Sequence, residues 1–214
     1  MSATTTKKKN INYYDSPFLY FMKEWGLYIA VFAIILLSRI FIWTTSIVDG
    51  HSMDPTLAGK QRLFVVKTAK IDRFDIVVAK ENENGKSKQI VKRVIGLPGD
   101  TITYDHDKLT VNGKEINEPY LKSYQAKFVK DKLQSTYTYN DYFQQLAKSA
   151  QSFTVDKDGN ASFTVTVPKG QYFLLGDDRI VSKDSRAVGT FKDSSIVGEV
   201  KFRFWPLDKI GNPE

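Results

Sequence analysis

No cysteine occurs anywhere in the 214 residues. That absence excludes disulfide staples, thiolate zinc sites and a cysteine nucleophile. Histidine is almost as scarce, with His51 and His106 the only two. No H-E-x-x-H pair and no carboxylates at ligand spacing accompany them, so no metal site is expected. The excess of one charge sign is modest. Lys and Arg number 31 against 24 Asp and Glu, a net +7, and the cations are scattered among the acids. There is no arginine-rich helix and no aromatic RNA-binding signature, so nucleic acid is not an expected partner. A basic surface facing anionic lipid or cell-wall polymer accounts for the charge. Internal repeats and long low-complexity stretches are also missing.

One apolar run stands out against this background. Residues 25–43 carry a single charge, Arg39, and have Trp25 and Trp43 at their ends. The length matches the ~20 residues that a bilayer crossing needs, and tryptophan prefers the interface. Arg39 sits about one turn from the end, where its side chain can snorkel to the headgroups. A cleavable signal peptide is the competing reading. The run exceeds a usual h-region, and Thr44-Thr45-Ser46-Ile47 offers no clear small-residue cleavage site. Lys7, Lys8 and Lys9 precede the span, which predicts a cytoplasmic N-terminus and an extracytoplasmic remainder. The expected division is a cytoplasmic tail over 1–24, a transmembrane helix over 25–43 and an extracytoplasmic unit over 44–214, in a phospholipid membrane.

After the span the pattern is β. Runs at 63–66, 76–79, 89–97, 101–104, 109–111, 162–167, 171–175 and 199–205 read as short strands. Asn112-Gly113 and Pro168-Lys169-Gly170 mark turns between them. The fold class expected is mainly β, an antiparallel barrel or folded sheet behind one N-terminal transmembrane helix. Residues 118–160 differ. They are rich in Lys, Gln, Tyr and Ser, and Tyr142, Phe143, Leu146, Ala147 and Ala150 recur at helical spacing behind a cap at Asn140 or Asp141. They predict a small, partly helical insertion capping the β body.

Chemistry enters with Lys92, in the run Gln89-Ile90-Val91-Lys92-Arg93-Val94-Ile95. On a strand, Lys92 shares a face with Ile90 and Val94, and Arg93 shares the other with Val91 and Ile95. A cation on an apolar face tends to shed its proton and become a general base. The pKa would have to fall from about 10.4 to near 7, a differential of roughly 4–5 kcal/mol. The bland alternative is an exposed edge lysine. Ser52, in Gly50-His51-Ser52-Met53-Asp54-Pro55, is a candidate nucleophile, although a serine between Gly and Pro is more commonly a turn residue. Asp54 also stands where the G-x-S-x-G elbow needs glycine. Nine residues beyond Trp43, Ser52 lies at most about 30 Å of chain from the membrane edge. A third segment runs from Gly176-Asp177-Asp178-Arg179 through Ser182 to Asp184-Ser185-Arg186 and Gly189. It reads either as a surface loop or as a buried network in which Asp184 accepts from Arg186 or Arg93.

Taken in order, Gly50 to Leu57, Arg73-Phe74-Asp75-Ile76-Val77-Val78, Val91 to Asp100 and the third segment resemble the type I signal peptidase family, peptidase S26. The resemblance implies removal of signal peptides from secreted preproteins at the outer face of the cytoplasmic membrane. Ser52 would be the nucleophile and Lys92 the general base. Ser182 would aim the Lys92 amine, Asp184 and Arg186 would brace its loop, and Arg93 and Gly50 would support the site. Small residues at substrate positions −1 and −3 would sit in shallow pockets around Met53, Ile90 and Val94. No metal or organic cofactor is implied. Two positions depart from the family pattern. Asp178 replaces a more usual asparagine, and Gly50 replaces a serine that helps bind the oxyanion in some members, leaving that task to backbone N–H groups. Alternatives are a catalytically silent relative acting in assembly or binding, and a Ser–His–Asp hydrolase built on His106.

Overall fold

The computed structural model describes residues 16–83 and 85–213. The tail with Lys7, Lys8 and Lys9 lies outside the described residues. The chain falls into two compact units, one ending at Phe41 and the other beginning at Ile42.

The first unit is helix α1, Pro17–Phe41. Pro17 opens it at a position where the missing N–H is no loss. None of its side chains is buried, and among the described residues it is the one helix long and apolar enough to cross a membrane. It begins eight residues earlier than the span expected at 25–43, because Phe18, Leu19, Tyr20, Phe21 and Met22 extend the apolar run despite Lys23 and Glu24. It also ends sooner. Trp43 leaves the helix to open strand β1, Trp43–Ile47, and stacks on Phe64 at 5.2 Å between ring centroids.

The second unit is two antiparallel sheets. Its strands after β1 are β2 Arg62–Val66, β3 Ile76–Glu83, β4 Lys86–Gly96, β5 Thr101–Asp105, β6 Lys108–Val111 and β7 Lys114–Ile116. They continue with β8 Ser162–Thr166, β9 Gln171–Leu175, β10 Phe191–Lys192 and β11 Ile196–Trp205. The larger sheet has the order β1-β2-β11-β3-β4-β9-β10, and the smaller β7-β6-β5-β8. This is the folded-sheet form of the expected architecture.

Strand β4 is covered on both faces, so every residue from Val91 to Gly96 is buried. On one face Val91 joins Ile76, Val78, Leu63, Val65, Met53 and Leu57. On the other, Val94 joins Val77, Ala79, Leu174 and Phe191, with Ile90 packed against them. A third cluster, including Ile95, Ile102, Tyr104 and Phe173, joins the two sheets. Burial of this kind is the dominant favourable contribution to folding. The β3–β4 hairpin runs further than expected, pairing Lys80 with Gln89 and Glu81 with Lys88. That stretch is polar on both sides, so it carries no alternation to read.

The insertion holds two helices where one was expected, α2 Lys122–Asp131 and α3 Asp141–Ser149. The Asn140 side chain caps α3, accepting from the Tyr142 and Phe143 amides at 3.0 and 3.2 Å. Helix α2 buries only Tyr124 and Phe128 among lysines and glutamine, which hides its period. Both helices pack on a private core with Leu121, Leu133, Tyr137, Ala147 and Phe153. Arg179, fully buried, ties this body to the sheets by donating to Glu118 and Tyr104. Asp107 adds a second tie, accepting from the Phe153 and Thr154 amides.

Gly198 lies where β11 crosses β2 at close range. A Cβ there would fall 2.4 Å from the Val66 carbonyl oxygen, with only backbone around it. Gly198→Ala should therefore cost about 1–3 kcal/mol. A thermal melt of the full-length chain in detergent checks it; an unshifted midpoint would mean that β11 yields at that point.

Candidate active site

The loop between β1 and β2 carries Ser52. It is pinned from below by Met53 and Leu57, whose side chains are buried in the core, and the Leu57 amide donates back to the Met53 carbonyl at 2.9 Å. Gly50 turns the chain with φ of +81°, a conformation that a Cβ would strain. The turn leaves the Ser52 N–H without a hydrogen-bond partner among the described residues.

Lys92 comes from the middle of β4, opposite Val77 on β3. Its Nζ lies 2.7 Å from Ser52 Oγ. The side chain is only 3% exposed, and burial lowers its pKa from 10.5 to about 8. Asp184 and Glu81 pull the other way and Arg186 assists, but among the described residues no carboxylate pairs with the amine. Glu81 faces Lys183 instead, at 3.7 Å.

Arg93, next along β4, is buried as well, and its fate is the opposite. Its Nε and Nη2 donate to the two oxygens of Asp177 at 2.9 and 2.7 Å, and its guanidinium stacks 3.9 Å over the Tyr120 ring. The partner of Arg93 is thus Asp177, which also accepts from Thr56 Oγ1. Asp184 belongs to Arg186, which reaches it through Nε and Nη2 at 2.8 Å each. Asp184 also accepts from the Gly176 amide and caps the short helix α4, Ser185–Val188. Although burial opposes its charge, Arg186 and these bonds hold its carboxyl below the usual range. Arg186 continues to the carbonyls of Arg179 and Val155, so the pair braces the loop.

Two expected residues sit differently. Ser182 does not reach Lys92: its Oγ is buried without a hydrogen-bond partner, while its amide donates to the Asp178 carbonyl at 3.1 Å. Gly176 shows how tight this corner is, since a Cβ on it would lie 2.3 Å from both Ser182 Oγ and the Ser52 carbonyl oxygen. Val94 does not line the cleft over Ser52. It pairs with Leu174 and is fully enclosed under Tyr172 and Phe191.

The cleft over Ser52, about 240 Å³, is walled by Gly50, Met53, Ile90, Lys92 and, from the insertion, Phe143. Phe143 is a residue that the strand and motif patterns do not flag. His51 also meets the insertion, its ring 4.9 Å from that of Tyr139, with Asp54 at 2.9 Å from its Nδ1. His106 is elsewhere, in the β5–β6 turn, 75% exposed and paired with Asp105. The arrangement is a hydroxyl facing a buried amine, with an unpaired N–H beside the hydroxyl.

The family model described as signal peptidase, peptidase S26, matches residues 22–205. A signal peptidase I of Streptococcus pneumoniae strain R6 is 57% identical over 198 residues, 89% of this chain and 96% of the relative. A signal peptidase IB of Staphylococcus aureus is 40% identical over 200 residues, 89% and 95% of the two chains. A crystal structure of a signal peptidase I from Enterococcus faecalis V583 is 31% identical, covers 62% of this chain and 97% of its own, and has a TM-score of 0.44.

The lowered pKa of Lys92 has a stability signature. Below about pH 8 the folded chain bears the full cost of a buried ammonium, on the order of 3 kcal/mol. Between about 8 and 10.5 the folded chain has shed a proton that the unfolded one keeps, so stability rises with pH across that window. Lys92→Met should remove the rise and be more stable than wild type at pH 7. Denaturant melts at pH 7 and 9.5 test this, and equal pH slopes for the two proteins would contradict it.

Proposed function

The chain belongs to the signal peptidase family, peptidase S26, and we propose that it works through Ser52 as nucleophile and Lys92 as general base. It is a serine endopeptidase that removes signal peptides from preproteins. The observation that carries the proposed mechanism is the 2.7 Å separation of Nζ and Oγ inside a dry wall.

Neutral Lys92 takes the proton of Ser52 Oγ as the oxygen attacks the scissile carbonyl. The Ser52 N–H faces the developing oxyanion; loss of one such donor commonly costs about 3 kcal/mol. Collapse of the tetrahedral intermediate breaks the C–N bond, and the Lys92 ammonium protonates the leaving amine of the mature protein. The same amine then accepts a proton from the water that hydrolyses the acyl-enzyme. This is the logic of the serine triad with a lysine in place of histidine, and a buried lysine needs no third residue to tune it. Asp184 and Arg186 position the loop that closes the site, Arg93 fixes the Asp177 end of that loop, and Gly50 gives the serine turn its shape.

Met53, Ile90 and Phe143 narrow the cleft, which favours small side chains at −1 and −3 of an extended substrate. Helix α1 is the anchor, its cytoplasmic end preceded by Lys7, Lys8 and Lys9. The catalytic unit then meets secreted preproteins at the outer face of the cytoplasmic membrane, with residues 118–160 as its cap. A silent assembly factor would have no use for a buried amine beside a serine. A His106 mechanism is disfavoured by the exposure of that side chain.

Preprotein cleavage by the full-length chain in detergent or proteoliposomes tests the reading. Ser52→Ala and Lys92→Ala should each lower kcat by at least about a thousandfold, and His106→Ala should leave it unaltered. For wild type, kcat/KM should climb about tenfold per pH unit below a pKa near 8 and level off above it. Turnover surviving Lys92→Ala, or lost in His106→Ala, would overturn the assignment.

A further inference from the structure

Asp178 directly follows the Arg93 partner, Asp177, yet it has no cationic partner among the described residues. It is fully buried, and each of its polar groups but one is committed to a different part of the site. Its N–H donates to the Ser52 carbonyl at 3.1 Å, and its own carbonyl accepts from the Ser182 amide at 3.1 Å. Its Oδ1 accepts a 2.6 Å hydrogen bond from the Tyr137 hydroxyl. Its Oδ2 has no partner.

Tyr137 belongs to the insertion, between α2 and α3. Its ring is fully buried and packs against Phe143 and Tyr139. A phenylalanine would fill that space equally well. The hydroxyl is spent wholly on Asp178. The main-chain path from this bond to the nucleophile is one residue long, because the N–H that holds the Ser52 carbonyl is that of Asp178 itself.

We propose that Tyr137 and Asp178 form a positioning relay, in which the insertion fixes the carboxyl of Asp178 and Asp178 fixes the backbone of Ser52 at its distance from Lys92. Neither residue touches substrate. The inference rests on Ser52 being the nucleophile. It gives residues 118–160 a part in turnover besides walling the cleft.

The Asp178 carboxyl accepts from the Tyr137 hydroxyl, and that bond does not depend on its charge. Burial, reinforced by Asp54, pushes its pKa up to about 7, against the Tyr137 hydroxyl and the Ile180 and Val181 amides, which favour the charge. Tyr124 and Tyr139 also face it and feel its charge. An asparagine copies the shape of this group and keeps the Oδ1 acceptor that Tyr137 uses. The relay therefore needs an Oδ1 acceptor at position 178 and does not need a negative charge there.

The test is the kcat and KM of preprotein cleavage by the full-length chain, with Ser52→Ala run alongside. Tyr137→Phe and Asp178→Ala should each lower kcat about tenfold, the equivalent of one lost buried hydrogen bond, with KM little altered. The double variant should be no worse than Asp178→Ala alone, since both remove the same link. Asp178→Asn should recover most of the kcat lost in Asp178→Ala. A Tyr137→Phe kcat within twofold of wild type, an effect confined to KM, or additive losses in the double variant would overturn the relay. If Tyr137→Phe does not fold, the Asp178 pair decides, and equal kcat for alanine and asparagine overturns the relay. Activity remaining in Ser52→Ala would instead overturn the underlying Ser–Lys reading, so the two failures are distinct.

Discussion

Lys92 is free to shed its proton only because the carboxylates around it are already taken. The loop that packs against it contains Asp177, Asp178 and Asp184, and any one of them paired with the amine would hold its proton at neutral pH. Asp177 is clamped by both arms of Arg93, Asp184 by Arg186, and Asp178 by a phenol. The arginines keep their charge in any environment and bind carboxylates through a planar fork. They consume the negative charge, and burial does the rest. This explains why two adjacent cations on β4 end so differently: one has a bidentate partner, the other only a serine.

The fold supplies the dry wall that this division of charge requires. Strand β4 runs through the centre of the larger sheet with a hydrophobic cluster on each face, so Lys92 and Arg93 are both nearly excluded from solvent. The Ser52 hydroxyl comes from a loop, which is normally the mobile part of a domain. Here Met53 and Leu57 sink that loop into the same core that holds β4, and the Asp178 amide fastens it from the other side. Serine and lysine are therefore fixed to a common body, though they arrive 40 residues apart.

Much of this was legible in the residues. The alternation around Lys92 foretold its apolar surroundings, and the order of the four motifs foretold its neighbours. The apolar run, the β pattern and the Asn140 cap were equally readable, because each is a local signal. What escaped needed three-dimensional information. The C-terminal end of α1 falls short of Trp43, which joins β1 and stacks on Phe64 instead. Val94 and Ile90 share a strand face, but the cover of β9 and β10 over Val94 has no mark in the strand itself. Ser182 was placed on Lys92 by analogy, whereas its Oγ is buried beside Gly176 with no hydrogen-bond partner. Asp177 and Asp184 are interchangeable in a string of letters, and only the fold assigns each to its arginine. Tyr137 gave no sign at all, lying among other aromatic residues in a segment whose period is weak.

Arg179 carries an implication for how a substrate gets in. Its guanidinium sits at zero exposure between Glu118, Tyr104 and Thr154, at the root of the insertion. Swinging that body outward would strand a buried ion, and separating such a pair typically costs about 3–5 kcal/mol. The insertion is thus a fixed jamb and not a flap. A peptide that enters the cleft over Ser52 meets a rim that is already in place on the Phe143 side.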